Sequence, residues 1–268
     1  MNILVCVKQV PDTTQVRIDP VTNTLIRDGV PAIVNTFDAF AVEAAARIKD
    51  KNPDTKIVVM SMGPENAKNA LKECLAIAAD QAYLVSGRAF GGSDTLATSY
   101  ILSNAIKKIE ETEGKFDLIF CGKQAIDGDT AQVGPEVAEH LGYPQITCAL
   151  DILKADKDYL EVLKENQDVK QVIAIKTPCV ITFSKPAFDV RYPTVKRFLA
   201  ANRREIPTLT PEDFPEMDTG RIGLKGSPTH VKKSFVPVKN REGLIIREET
   251  LNASAVKLIS ILSDTHVI

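Results

Sequence analysis

The chain contains no tryptophan, three histidines and only 6% aromatic residues. Scarce aromatics leave little from which to build the stacking platforms that hold single-stranded nucleic acid. His140, His230 and His266 stand far apart, so no His-rich metal site is expected and no metal is assigned. An excess of one charge is missing too. Lys and Arg total 33 against 35 Asp and Glu, a net charge of −2 over 268 residues, which removes the electrostatic case for nucleic-acid binding. No apolar run approaches the ~18 residues a membrane helix needs. The opening MNILVCVKQV has neither the long h-region nor the cleavage site of a signal peptide. A cytoplasmic location without membrane insertion is expected. Cys6, Cys74, Cys121, Cys148 and Cys179 form no CxxC pair and read as reduced core thiols, not as disulfides or an iron–sulfur site. There is no GxGxxG after the first apolar run and no GxxxxGK[ST] anywhere. No nucleophile–base–orienter triad is evident, and His140 is read as a surface residue of an amphipathic helix.

What is present is an alternation of apolar runs and amphipathic stretches over the first ~150 residues, the pattern of a parallel α/β sheet. Strands are predicted at Asn2–Val7, Lys56–Ser61, Ala82–Ser86 and Leu118–Cys121, each rich in Val, Ile or Leu, as befits strands covered on both faces. Helices are predicted at Ala39–Lys49 with Asp38 as N-cap, at Glu65–Ala78 after Gly63-Pro64, at Thr95–Glu110 after Ser93-Asp94, and from near Pro135 to His140. Residues 151–183 read as short alternating strands, and Val256–Leu262 as a final short helix. Residues 186–237 hold seven of the fifteen prolines with little periodicity, so they read as a disordered tract or, better, as an arm that packs on another subunit.

Two glycine-rich segments join a strand to a helix. Cys121 to Pro135 reads CGKQAIDGDTAQVGP. Gly128 and Gly134 would let backbone approach a ligand, and the free N–H groups of the helix start suit a pyrophosphate. The competing reading is a loop in which Asp129 or Thr130 caps the next helix. Ser86 to Thr95 reads SGRAFGGSDT, equally a second ligand loop or a surface loop. The ends of the other strands offer Cys6-Val7-Lys8 and Ser61-Met62-Gly63. The Val34–Asp38 loop offers side chains for an adenine or ribose. Ligands gather at such carboxyl ends.

These segments occur together in an order that resembles the β subunit of electron-transferring flavoproteins over essentially the full chain. The matches are ILVCVKQVPDT at the start, RDGV at 27–30, SMGP at 61–64, GKQAIDGDTAQVG at 122–134, TPCVIT at 177–182 and RYPTVKR at 191–197. The resemblance implies an α/β fold with a Rossmann-like parallel sheet and flanking helices, adenine-nucleotide-hydrolase-like, over 1–183. A recognition loop and extended C-terminal arm wrapping an α subunit would occupy 184–268.

In the respiratory branch of the family, β holds a structural AMP. In the electron-bifurcating branch it holds FAD, which takes hydride from NADH. One electron then passes through the α-subunit FAD to a partner flavin dehydrogenase and the other to ferredoxin or flavodoxin. Such partners include acyl-CoA dehydrogenase-type enoyl-CoA reductases, caffeyl-CoA reductase among them, and a lactate dehydrogenase. The respiratory pattern has Asn-Gln-Thr where this chain has Ala131-Gln132-Val133. Losing two polar groups there suits a phosphate that continues into a flavin chain, as does AFGGSDTLATS at 89–99. The bifurcating branch, typical of anaerobic metabolism, is therefore expected, with the chain acting as the flavin subunit of an NADH-dependent oxidoreductase.

By the same resemblance, adenosine and phosphate contacts fall to Cys6, Asn35, Phe37, Asp38, Met62, Gly122, Lys123, Gln124, Ala125, Ile126, Asp127, Gly128, Asp129, Thr130, Ala131, Gln132 and Val133. Thr36, where the family often has Pro, departs from the pattern. Arg88, Phe90, Gly91, Gly92, Asp94 and Thr95 form a candidate flavin and NADH face. Arg191, Tyr192 and Val195 are assigned to partner docking, with Val195 as the apolar anchor. No catalytic side chain is assigned. Two other readings stand beside this one: a β subunit whose AMP is only structural, and a nucleotide-binding sensor or small ATP-dependent enzyme.

Overall fold

The structure is a computed structural model, and it describes residues 1–12, 31–167, 169–232 and 243–268. The RDGV segment lies outside the described residues. Two compact units result, with the division after Lys232.

The first unit opens with β1 (Asn2–Cys6), β2 (Gln9–Pro11) and β3 (Ala32–Val34), then α1 (Thr36–Lys51) and β4 (Lys56–Met62). It continues with α2 (Lys68–Ile77), β5 (Gln81–Val85), α3 (Thr95–Glu113), β6 (Leu118–Gly122) and α4 (Val133–Leu141). Strands β7 (Gln145–Ala155), β8 (Tyr159–Asn166), β9 (Val169–Lys176) and β10 (Cys179–Phe183) follow, then α5 (Val195–Asn202) and β11 (Thr208–Leu209). The second unit contains α6 (Leu251–Asp264), which includes the helix expected at 256–262.

Nine strands form one sheet in the order β11-β5-β4-β1-β6-β10-β7-β8-β9. It is parallel from β11 to β7 and antiparallel across β7, β8 and β9. Strands β1, β4, β6 and β10 are buried almost throughout, as their unbroken apolar runs require in a sheet covered on both faces. One core layer packs β1, β4 and β6 against α1 and α2; the other packs them against α3 and α4. From β1 the chain goes to β4 on one side and later to β6 on the other, so a topological switch point lies between the carboxyl ends of β1 and β6.

Several expectations are corrected. The first helix starts at Thr36 with Asn35 as N-cap, not at Ala39 with Asp38, because the Asp38 carboxylate turns inward to other backbone groups. Residues 65–67 make a separate 3-10 turn before α2. The helix after the second glycine-rich loop starts at Val133, with Pro135 inside its first turn. Residues 184–232 pack with the sheet: β11 pairs with β5, and Ala201, Ile206, Phe214, Met217 and Ile222 are buried. The first compact unit accordingly continues to Lys232. Proline kept this segment from forming long elements, yet its sparse apolar residues find a core. His140 is half-buried, edge-on to Tyr100 at 5.8 Å. Burial lowers its pKa.

Candidate functional site

The switch point is held together by one buried carboxylate. Asp38, in the first turn of α1, accepts the Lys8 N–H at 2.7 Å and the Gly122 N–H at 3.0 Å. It therefore staples the end of β1 to the end of β6. Burial pushes its pKa up to about 7, while hydrogen bonds from Lys8, Asn35 and Gly122 pull it back down. Gly122 is obligatory there, because a β-carbon would stand 2.3 Å from the Asp38 carboxylate oxygen.

Asn35 does the same for the glycine-rich loop. It is fully buried; its amide donates to the Gln124 carbonyl at 2.8 Å, and its oxygen accepts the Ile126 N–H at 3.0 Å. The Val34–Asp38 loop thus turns two of its polar side chains inward, where they shape the 122–133 loop. Within that loop Gln124 donates to Asp129 at 2.9 Å, and Lys8 reaches across to Asp127 at 2.6 Å. Ala131 is held at φ 55, a conformation unusual for a residue with a side chain.

The loop ends at the start of α4, whose N-cap Gln132 makes no side-chain cap bond. The first N–H groups of the helix are left for another acceptor. Neither Asp129 nor Thr130 caps it, so the capped-loop alternative does not hold. Gly134 is needed for packing against the sheet, since a β-carbon would meet the Thr182 methyl at 2.4 Å. Around Gly128 the space is open.

Cys6 and Cys121 are register partners on β1 and β6. Hydrogen bonding to Cys6, then burial, raises the Cys121 thiol well above its usual range. That thiol stays protonated and serves as packing, not as a nucleophile.

Beside the switch point opens a cavity of about 680 Å³, within the size range of small-molecule and cofactor sites. Lys8 to Pro11 and Asp127 line one end, Met62 to Ala67 a second side, and Val85 to Arg88 with Phe90 to Ser93 the third. Of the candidate flavin face, Arg88, Phe90, Gly91 and Gly92 line it. Asp94 instead caps α3 by accepting the Ala97 N–H at 3.0 Å. The Thr95 hydroxyl is 3.3 Å from both Gln132 and Glu136. Glu65, Asn66 and Ala67 were missed as lining residues; they are brought in by tertiary contact and follow the SMGP motif without belonging to it.

The docking assignment divides. Tyr192 and Val195 are 94% and 76% exposed. Arg191 is 33% exposed and tied into the fold by ion pairs. Its guanidinium bonds Glu43 at 2.9–3.1 Å and Asp50 at 2.6 and 3.2 Å, and its backbone N–H donates to Glu43 at 3.1 Å. Arg197 donates to the carbonyls of Leu75 and Ala76 at the C-terminal end of α2. Two arginines thus fix the segment to α1 and α2.

Comparison with known proteins fits this geometry. Residues 22–214 match the electron transfer flavoprotein domain. The electron transfer flavoprotein subunit beta of Megasphaera elsdenii is 52% identical over 258 residues, 96% of this chain and 95% of that one. The caffeyl-CoA reductase-Etf complex subunit CarD of Acetobacterium woodii is 47% identical over the whole of both chains. The protein FixA of Azorhizobium caulinodans is 41% identical over 97% of this chain and 93% of that one. Among the described residues no helix is long and apolar enough to cross a membrane.

Proposed function

The chain belongs to the electron transfer flavoprotein family as a β-subunit chain, and from that premise we propose that it is the flavin-binding subunit of an electron-bifurcating heterodimer. Its α partner carries the second FAD. The cavity carries this reading. Its ~680 Å³ runs from Lys8, Met62 and Asp127, beside the phosphate loop, out to Arg88 and Ser93, so it extends past the adenosine side. Ala131 and Val133, which lack the polar groups of the respiratory pattern, point the same way, as does the likeness to a caffeyl-CoA reductase-Etf subunit.

In this reading the 122–133 loop and the start of α4 bind the phosphates through backbone N–H groups. Asn35 and Asp38 keep that backbone in place from below. Cys6, Phe37 and Met62 pack the adenosine side, and the 88–93 wall faces the ring. When bound, FAD supplies hydride acceptance from NADH and delivery of single electrons. No side chain of this chain has to move a proton. Tyr192 and Val195 would dock a flavin dehydrogenase of the enoyl-CoA reductase or lactate dehydrogenase kind, and ferredoxin or flavodoxin would be the other electron acceptor. Acid release and quantification of nucleotide from the purified heterodimer tests this: two FAD and no AMP per αβ pair is expected. One FAD with stoichiometric AMP would instead establish the respiratory form.

A further inference from the structure

The 88–93 wall of the cavity is not fixed by its own sequence. It consists of a 3-10 turn at Arg88–Phe90 followed by two glycines, with Gly92 at φ 74. A segment 130 residues further along the chain holds it. The Ser93 hydroxyl accepts the Gly223 N–H at 3.0 Å and donates to the Phe90 carbonyl at 2.8 Å. The Asp94 N–H donates to the Ser227 hydroxyl at 2.8 Å, and that hydroxyl donates to the Gly223 carbonyl at 2.7 Å. Asp94 Oδ2 accepts both the N–H and the hydroxyl of Thr229, at 3.0 and 2.8 Å. Leu224 lies over Gly92, where a β-carbon would meet it at 2.7 Å.

We propose that residues 222–229 form a strap that sets the position of the 88–93 wall, and that Ser227 is a positioning residue for the half of a dinucleotide lying beyond the phosphate loop. This rests on reading the cavity as the seat of a flavin. Ser227 is the pin of the strap. It is 4% exposed, and its single hydroxyl serves the wall and the strap at once. Removing that hydroxyl strands the partly buried Asp94 N–H and the buried Gly223 carbonyl, while Asp94 still caps α3 through Oδ1. The phosphate loop shares none of these bonds. Loosening the strap therefore weakens whatever touches the wall and spares a ligand confined to the loop.

AMP and FAD are the two probes. The full heterodimer, with its α-subunit flavin left in place, is titrated with each. Ser227→Ala is expected to weaken FAD about 5- to 20-fold and to change AMP less than about twofold. Ser227→Thr, which keeps the hydroxyl, is expected to restore FAD binding. If Ser227→Ala does not fold, Leu224→Ala, at a side chain 66% exposed, removes only the cover over Gly92 and is expected to show the same selective loss. Equal weakening of FAD and AMP, or no weakening of either, overturns the strap. Wild-type protein that binds FAD no better than AMP overturns the flavin reading itself, and the strap with it.

Discussion

The Asp38 carboxylate accepts the Gly122 N–H at 3.0 Å, and a β-carbon at position 122 would fall 2.3 Å from that same oxygen. The two residues come from different layers, a helix start and a strand end, and meet with no room for a methyl group. Gly122→Ala is expected to push α1 off the sheet, cost about 2–3 kcal/mol and release the nucleotide. Thermal unfolding of the heterodimer, with bound nucleotide counted afterwards, checks this. A variant with unchanged midpoint and full nucleotide would show that α1 shifts freely.

The same carboxylate gives a pH dependence of defined sign. An unfolded Asp titrates near ~3.9, and the buried one near 7. Between those values the folded state holds a proton that the unfolded chain has lost, so this group's contribution falls as pH rises from about 4 to 7 and is level above it. Urea midpoints at pH 5 and pH 7.5 should show wild type losing more than Asp38→Asn across that interval, by up to roughly 3 kcal/mol. Equal losses in the two proteins would mean that the carboxyl ionises normally.

Ala131 at φ 55 bears directly on the choice of cofactor. Asn and Gly both tolerate this conformation better than Ala. Ala131→Gly is expected to stabilise the protein by about 0.5–1 kcal/mol without changing nucleotide content. Ala131→Asn combined with Val133→Thr should be just as well folded, yet carry AMP in place of the second FAD and lose NADH-driven ferredoxin reduction. Chromatography of the released nucleotides decides; an unchanged FAD count would remove Ala131 and Val133 from any role in cofactor choice.

The docking segment separates stability from recognition. Arg191→Ala leaves Glu43, whose side chain is 5% exposed, with a buried charge, and should cost about 2–3 kcal/mol. Val195→Asp, at a side chain 76% exposed, should alter stability by less than about 0.5 kcal/mol. It should still lower electron delivery to the dehydrogenase, while NADH oxidation by an artificial acceptor survives. Loss of both activities in Val195→Asp would place the residue in the fold.

The central strands and the helices between them were legible because a doubly covered strand must be apolar throughout, and the helices between carry their own caps and prolines. The Ser93-Asp94 pair marked the start of α3, although Asp94 was assigned to the flavin face and proves to be the cap. Asp38 was misplaced because a carboxylate before an apolar run looks the same whether it caps its own helix or reaches two other strands. The partners of Arg191 and the strap could not be read at all. Glu43 lies 148 residues from Arg191 and Ser227 133 residues from Asp94, and neither pair leaves a local pattern. The glycines of the phosphate loop were visible as glycines, but only the packing of α4 on Thr182 tells that Gly134 serves the protein and not the ligand.

The place of β10 in the sheet constrains how the chain is made. It lies between β6 and β7, both of which precede it in the sequence. Until Cys179–Phe183 leaves the ribosome, those two strands each keep an open edge, and the half-built sheet has a slot where its middle should be. Local hairpins across β7, β8 and β9 can form early, whereas closure requires a late insertion over a long sequence separation, which is slow. A nascent chain stalled just before residue 179 is thus a species with two exposed strand edges, the kind that folding helpers bind and that pairs wrongly with its neighbours.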